Sequence, residues 1–162
     1  MKNLTALGDP IGALLKARGE TIAVAEPSTG GLVSAALLAV AGASAYFRGG
    51  GVVYTREAKQ SLAGISDADL EAARAATETH ALKLALSMRA RMETDWAIAE
   101  TGATGPTGNR YGDAPGHTCI AVAGASVERV ITLETGDADR EGNMWAFTEA
   151  ALDLLRETIS DS

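Results

Sequence analysis

Two hydroxyl-bearing residues and two glycines follow a short apolar run, in the segment 25–31, whose sequence is Ala-Glu-Pro-Ser-Thr-Gly-Gly. Residues 21–25 predict a buried strand, and residues 32–41 are apolar almost all round, as in a helix packed inside an α/β protein. Ligands of open α/β sheets bind at the carboxyl edge of the strands, where the next helix presents free N–H groups to an anion. The segment is therefore a candidate ligand site.

An ordinary helix start explains the same residues without any ligand. Ser28 or Thr29 is a suitable helix N-cap, Pro27 suits the position just before a helix, and the two glycines allow close packing. The segment taken alone does not distinguish these interpretations.

Two further turns follow strand-like runs and carry residues suited to catalysis. A lysine at position 59 that is desolvated beside a hydroxyl has a lowered pKa and can act as the general base that activates a serine. Tyr54, at the start of the same turn, can orient that pair or donate to an oxyanion. The segment 101–108 is rich in glycine and threonine, and its glycines can free backbone N–H groups and bring the chain close to a bound group.

The composition favours a compact soluble protein. The chain has 162 residues, a formal net charge of −7 and 46% hydrophobic residues, which predicts one folded domain over residues 1–162. Without clustered lysine and arginine, no nucleic-acid partner is expected. The longest apolar stretch, about 32–45, is shorter than the roughly 20 residues that cross a bilayer, so no membrane partner is expected.

Cys119 lies alone in an apolar run, which predicts a buried thiol in a cytoplasmic protein. A catalytic role for this thiol would need His80 or His117 as its partner.

The apolar spacing predicts an alternation of helices and strands. Helices are expected over residues 9–18, 32–41, from 55 onward, 66–76, 77–92 and 139–159. Strands are expected over residues 21–25, 52–54, 96–99, 118–123 and 127–133, the last two as an antiparallel hairpin. Right-handed crossovers then give a three-layer α/β/α sandwich around a mixed, mostly parallel five-stranded sheet with one antiparallel hairpin strand.

Across nearly the whole chain, the three turns in this order resemble the C-terminal domain of the competence/damage-inducible CinA proteins. The family's first motif, A-E-S-C-T-G-G, matches Ala25, Glu26, Thr29, Gly30 and Gly31. Its second, G-x-V-x-Y-S-N-E-A-K, matches Gly50, Val52, Tyr54, Glu57, Ala58 and Lys59. Its third, T-G-I-A-G-P-x-G, matches Thr101, Gly102, Gly105, Pro106 and Gly108. Residues 115–118 are similar to the family's P-V-G-T, and residues 138–140 resemble its G-D-R.

The resemblance implies an α/β/α fold and a Ser/Lys amidohydrolase, a nicotinamide-nucleotide amidase that converts nicotinamide mononucleotide to nicotinic acid mononucleotide and ammonia. It implies no metal, no cofactor, a small nucleotide as ligand, and a chain without the N-terminal molybdopterin-binding-like domain of longer members. A homo-oligomer is compatible with it. The expected catalytic residues are Ser28, Lys59 and Tyr54. The expected substrate-binding residues are Glu26, Thr29, Gly30, Gly31, Thr101, Gly102, Gly105 and Arg140.

The chain departs from the family at the nucleophile. In an ungapped alignment the family's serine falls on Pro27, which has no hydroxyl, and Ser28 falls on the family's cysteine. In one hypothesis Ser28 becomes the nucleophile by a one-residue shift of the turn, and backbone N–H groups near Gly30 and Gly102 hold the oxyanion. In the other, the chain is a catalytically inactive nucleotide- or phosphate-binding module of the same fold. The smaller departures are at Arg56, Met144 and Trp145.

Overall fold

The computed structural model describes residues 1–162, in which helices and strands alternate along the chain. The helices are α1 (Leu4–Arg18), α2 (Leu32–Leu38), α3 (Arg56–Ser61), α4 (Asp67–Ala72), α5 (Glu78–Met92) and α6 (Arg140–Ser160). The strands are β1 (Ile22–Ala25), β2 (Phe47–Gly51), β3 (Trp96–Ala103), β4 (His117–Ala123) and β5 (Glu128–Glu134), and a short 3₁₀ turn, Ala43–Ala45, precedes β2. None of the helices is both long and apolar enough to cross a membrane.

The five strands form one sheet in the order β2-β1-β3-β4-β5. Strand β1 pairs in parallel with β2 and β3, whereas β4 pairs antiparallel with β3 and β5, so only β4 runs against the others. Helices α1, α2 and α6 pack together on one face of the sheet, and α5 covers the other face at β1, β3 and β4. The predicted α/β/α sandwich with a mixed, mostly parallel sheet is therefore confirmed.

The two faces of the sheet differ in side-chain size. The residues of β1, β3 and β4 that face α1, α2 and α6 are large: Ile22, Val24, Trp96, Ile98, Ile120 and Val122. Those on the α5 side are small: Ala23, Ala25, Ala97, Ala99, Cys119, Ala121 and Ala123. Because successive residues of a strand point to opposite faces, this alternation lets α5 lie close to the sheet while large side chains fill the opposite layer.

Helix α1 begins earlier than predicted. The Asn3 side chain accepts the N–H of Ala6 at 3.1 Å and caps the helix, and Pro10 lies inside it. An internal proline removes one helical hydrogen bond, but Ile11 and Leu15 are almost completely buried and hold the helix against the core. The predicted start at residue 9 is therefore wrong, because tertiary packing outweighs the preference of proline for a first turn.

Strand β2 is the largest difference from the predicted elements. It comprises Phe47–Gly51, with three glycines in succession, and the strand predicted over 52–54 is wrong. Glycine disfavours strands in general, but here space decides: a Cβ on Gly50 would lie only 2.4 Å from Ser34 Oγ. Glycine therefore lets β2 approach α2, and residues 52–54 lie beyond the end of the strand.

Strand β3 is longer than predicted and extends through Ala103. Thr101 and Gly102 pair with β4 instead of forming the start of a turn. A Cβ on Gly102 would lie 2.4 Å from the carbonyl oxygen of His117, so this close pairing requires glycine.

Cys119 is a buried free thiol, as predicted. Burial raises the pKa of this thiol, which disfavours the thiolate. The nearby His117 Nε2 lies 2.8 Å from the carbonyl oxygen of Ala76 and must donate to it, so it is not available as a base. The structure therefore offers Cys119 no catalytic partner.

Candidate active site

The turn after β1 is built around the buried carboxylate of Glu26. This carboxylate accepts the N–H groups of Gly31 at 2.8 Å, Val33 at 3.0 Å and Ser34 at 2.7 Å. It also accepts the Thr29 hydroxyl at 2.8 Å. These N–H groups are the ones that the first turn of a helix otherwise leaves free. The predicted open anion site at the start of α2 is therefore wrong, because the protein's own carboxylate occupies it.

A second buried carboxylate, Glu100 in β3, joins the same turn to the sheet. Its Oε1 accepts the N–H of Ser28 at 2.6 Å and the N–H of Thr29 at 2.8 Å. Its Oε2 accepts the Ser28 hydroxyl and, at 3.4 Å, the hydroxyl of Thr118. Glu100 is 1% exposed, and this burial raises the pKa of its carboxyl while the hydrogen bonds oppose the shift. The orientation of Ser28 is thus set by Glu100.

Lys59 on α3 lines the same cleft as Ser28. It is 8% exposed, and burial lowers the pKa of its ammonium. The negative charge of Glu100 opposes that shift, and the positive charge of Arg110 adds to it. The Ser28 hydroxyl donates to Glu100 and not to Lys59. A cleft lysine with a lowered pKa has an increased neutral fraction, which is a property of a general base.

The cleft has a volume of ≈ 630 Å³ and a positively charged lining without any carboxylate. The cationic residues that line it are Arg56, Lys59, Arg74 and Arg110. Arg56 pairs with Asp67, and Arg74 is held by Asp113. Arg110 and Lys59 belong to no ion pair. A protein with a net charge of −7 therefore presents a local site suited to an anionic ligand.

A smaller recess of ≈ 250 Å³ adjoins the cleft and shares four lining residues with it: Ser28, Tyr54, Gly102 and Asn109. Arg140, the first residue of α6, donates to the carbonyl oxygen of Gly105 at 2.6 Å and to the Tyr54 hydroxyl at 3.4 Å. These two hydrogen bonds connect the start of α6 with the third turn and with the tyrosine of the second turn. These contacts leave Tyr54 itself 62% exposed, at the mouth of the site.

Most of the residues predicted for the site line one of these two cavities. They are Ser28, Tyr54, Lys59, Thr101, Gly102, Gly105 and Arg140. The others, which line neither cavity, are Glu26, Thr29, Gly30 and Gly31. Glu26 and Thr29 are buried and shape the turn from within.

Several residues of the site were not anticipated from the sequence. Glu100 carries a signal that could have been used: a carboxylate that directly continues an apolar strand is buried, and a buried charge needs partners. Arg74, Asn109 and Arg110 carry no such signal. They reach the cleft from irregular segments whose course depends on tertiary contacts.

His80 on α5 also lines the cleft, and its imidazole is buried. Its Nδ1 lies 3.1 Å from the carbonyl oxygen of Ala73, so Nδ1 carries the proton, and Nε2 has no hydrogen-bond partner. Burial lowers the pKa of His80 to about 4, and the charge of Lys59 adds to this shift. The neutral imidazole is therefore the form present in the folded protein at neutral pH.

This shift predicts a loss of stability in mild acid. Below pH about 6.5 the unfolded chain binds a proton at His80 that the folded chain does not bind until about pH 4, so stability falls between these values by roughly 3 kcal/mol. Urea unfolding at pH 7 and pH 4.5 measures this loss. Between pH 7 and pH 4.5 His80 accounts for about 2 kcal/mol of this loss, because pH 4.5 lies above the folded-state pKa of about 4. In His80→Leu the difference between the two pH values should be smaller by about 2 kcal/mol; an unchanged difference would assign the acid sensitivity to other groups.

The fold and the site define a class, α/β/α domains with a cationic cleft at the carboxyl edge of the sheet. A family model described as the CinA C-terminal domain matches residues 4–159. The chain therefore belongs to the CinA C-terminal domain family, which confirms the resemblance of its three turns.

Curated relatives of this family are longer than the chain. A CinA-like protein from Gloeobacter violaceus is 39% identical over 150 residues, which cover 91% of this chain and 35% of the relative. A putative competence-damage inducible protein from Halothermothrix orenii is 35% identical over 151 residues, covering 93% of this chain and 37% of the relative. The chain thus spans little more than a third of the length of these relatives.

Solved structures match the chain over its whole length. The competence damage-inducible protein A (ComA) from Klebsiella pneumoniae superposes with a TM-score of 0.91 at 27% identity, covering 98% of both chains. The competence/damage inducible protein CihA from Agrobacterium tumefaciens gives a TM-score of 0.90 at 27% identity, covering 99% of this chain and 97% of that one. The α/β/α architecture is therefore common to these proteins and this chain.

Proposed function

We propose that this domain is a nicotinamide-nucleotide amidase, which hydrolyses the carboxamide of nicotinamide mononucleotide to nicotinic acid mononucleotide and ammonia. The observation that carries the proposal is the placement of Ser28 and Lys59 in the lining of one cationic cleft. A hydroxyl nucleophile and a lysine of lowered pKa in one cavity are the elements of Ser/Lys hydrolysis. The substrate class comes from the resemblance of the three turns to the amidases of this family.

The charge of the cleft supports a phosphorylated substrate. Arg110 has no carboxylate partner, so its guanidinium is available to a phosphate. The start of α2 does not serve this purpose, because Glu26 already accepts its N–H groups. We assign phosphate binding to the arginine side of the cleft, and the carboxamide then lies towards Ser28.

In the proposed reaction the Ser28 oxygen attacks the carboxamide carbon, and its proton is transferred to a base. Tyr54 lines the same cavity and has a hydroxyl that can donate to the resulting oxyanion. Lys59 is the base that the family resemblance implies. Water then hydrolyses the acyl-enzyme ester and restores Ser28.

Ammonia release from nicotinamide mononucleotide by the purified protein tests the proposal. Turnover that saturates with substrate and disappears in Ser28→Ala would support it. Absence of turnover by a folded protein that still binds the nucleotide would contradict it.

The alternative function, a catalytically inactive nucleotide-binding module, has its own supporting observation. Both the N–H and the hydroxyl of Ser28 are engaged by Glu100, so Ser28 also has a structural role in the turn. Calorimetric titration with nicotinamide mononucleotide and nicotinic acid mononucleotide tests binding separately from turnover. If neither nucleotide binds at millimolar concentration, both functions are excluded.

Replacing Pro27 with serine should raise the amidase activity by about 10- to 100-fold. Pro27 lines the cleft, and the substitution places a hydroxyl at the family's spacing from Lys59. A nucleophile displaced by about 1 Å loses about 100-fold in rate, so a correctly placed hydroxyl can raise the rate by up to about that factor. The rate of ammonia release is the measurement, and Pro27→Ala is the matched control because it removes the ring without adding a hydroxyl. An equal rise in both variants would attribute the gain to the backbone.

A further inference from the structure

His117, the first residue of β4, has both of its ring nitrogens against groups that accept hydrogen bonds. Its Nδ1 lies 2.5 Å from the carboxylate of Glu134 in β5, and its Nε2 lies 2.8 Å from the carbonyl oxygen of Ala76. A neutral imidazole has one N–H and can donate to only one of these groups, whereas an imidazolium donates to both. The two contacts therefore require the charged, doubly protonated form of His117.

The charges around His117 also favour the imidazolium. Oδ2 of Asp113 lies 3.8 Å from its Nε2. Burial lowers the pKa of His117, but its two hydrogen bonds and the negative charges of Asp113 and Glu134 outweigh burial and raise the pKa above that of an ordinary histidine. Element by element, the ionisable groups around this imidazole are Asp113 before β4, Cys119 in β4, Glu134 in β5, Arg74 before α5 and Glu78 in α5. Cys119 stays a neutral thiol, because burial raises its pKa.

Two segments that carry cleft arginines meet at His117. The segment 73–76 contributes Arg74 to the cleft lining, and its last carbonyl accepts the proton on Nε2. The segment 109–113 contributes Arg110, and the aspartate at its end holds Arg74 at 2.8 Å. His117 itself lines neither cavity. It can therefore influence a bound anion only through its charge and through these two segments.

We propose that the imidazolium of His117 is a positioning group for the cleft: it holds the two arginine-bearing segments together, and the cleft binds anions more weakly once His117 loses a proton. The inference rests on the proposed function for the identity of the anion, which is a nucleotide phosphate. Arg74 and His117 supply two positive charges to this cluster, and Asp113 and Glu134 supply two negative charges. Loss of the His117 proton leaves an excess negative charge beside the cleft and breaks one of the two hydrogen bonds.

The proton of His117 can exchange with bulk water. Nδ1 donates to Glu134, whose side chain is 57% exposed. Below the raised pKa of His117 the imidazolium joins the two segments, and above it the neutral ring cannot satisfy both acceptors. Removing one positive charge at a distance on the order of 10 Å weakens anion binding by about 3- to 10-fold.

Sulfate is the probe for the anion affinity of the cleft, because it keeps two negative charges from about pH 6 to pH 9 whereas a phosphate monoester still titrates near pH 6. Amide NMR shifts of residues 109–111 report its binding, and ¹⁵N shifts of the His117 ring report the protonation of each nitrogen. The only other histidine is His80, whose pKa of about 4 lies below this range. In the wild type both ring nitrogens of His117 should be protonated at pH 6. The sulfate affinity should fall by about 3- to 10-fold as the pH rises, with the same midpoint as the His117 titration.

Three substitutions separate the charge of His117 from a structural role. His117→Gln removes the titration and keeps an N–H donor; it should bind sulfate about 3- to 10-fold more weakly than the wild type at pH 6 and equally well at pH 9. Any pH dependence that remains in this variant reports Lys59, the cleft residue whose pKa is lowered by burial. Glu134→Gln removes a negative charge next to His117 and should lower both midpoints together. Glu128→Gln, exposed at the other end of β5, is the matched control and should leave both midpoints unchanged.

Thermal unfolding by circular dichroism checks that each variant is folded, and Glu134→Gln still provides the test if His117→Gln does not fold. A singly protonated His117 at pH 6, a sulfate affinity that does not follow the His117 titration, or weaker binding by His117→Gln at pH 9 as well as at pH 6 would each overturn the proposal. Absence of sulfate binding to the wild type at every pH would also overturn it. The expected sulfate pattern without any binding of nicotinamide mononucleotide would overturn the proposed function and leave the role of His117 intact. Turnover of the mononucleotide with a pH-independent sulfate affinity would do the reverse.

Discussion

Ammonia release from nicotinamide mononucleotide should fall by about 1,000-fold or more when Ser28 is replaced with alanine. The variant loses the hydroxyl that the proposed reaction uses as its nucleophile, which lines the cleft. A nucleophile and its partners act as a unit, so the Ser28→Ala/Lys59→Ala double variant should be no slower than Ser28→Ala alone. Steady-state assays with saturating substrate give the required turnover numbers.

Ser44→Ala is the matched control for this experiment. Ser44 is exposed in the 3₁₀ turn that precedes β2, at the amino edge of the sheet and away from the cleft. Its variant should retain wild-type turnover. Robust turnover by Ser28→Ala would show that a different residue is the nucleophile.

Replacing Glu26 with alanine should lower the free energy of unfolding by about 3 kcal/mol or more. The substitution leaves the N–H groups of Gly31, Val33 and Ser34 without their acceptor, and each unsatisfied buried donor costs about 1–3 kcal/mol. The effect is large compared with the 5–15 kcal/mol that typically stabilises a whole domain. Urea unfolding at pH 7, followed by circular dichroism, measures it.

Glu71→Ala provides the comparison for Glu26→Ala, because Glu71 is an exposed carboxylate on α4. A surface substitution of this kind changes stability by about 0.5 kcal/mol or less. Equal losses in the two variants would mean that the Glu26 carboxylate does not hold the start of α2.

The sequence determined the order of the elements and some of the residues that line the cleft, among them Ser28 and Lys59. A continuous apolar run located β1, alternation located β4 and β5, and turn residues marked the starts of α3 and α5. Because parallel strands place their carboxyl ends at one edge of the sheet, Ser28 and Lys59 could be expected to share a site without knowledge of any side-chain contact.

Only the tertiary structure decided the roles of the two buried carboxylates. Glu26 and Glu100 lie far apart in sequence, but both contact the turn between β1 and α2. The sequence predicted a substrate-binding role for Glu26 and no role for Glu100, since the partners of a buried charge are chosen by packing and not by local spacing. The expected anion site at α2 failed for this reason.

The strand β2 and the charge of the cleft were also decided by packing. A run of glycines has little intrinsic preference for a strand, and it forms one here by pairing with β1. Ser34 leaves no room for a Cβ at Gly50, so this position requires glycine. Arg74 and Arg110 are far apart in the sequence and belong to no cluster of basic residues. They line the same cleft as Lys59 only because of the way in which the irregular segments fold over the sheet. Local sequence thus determined the scaffold and the reactive residues, whereas long-range burial and electrostatics determined their partners.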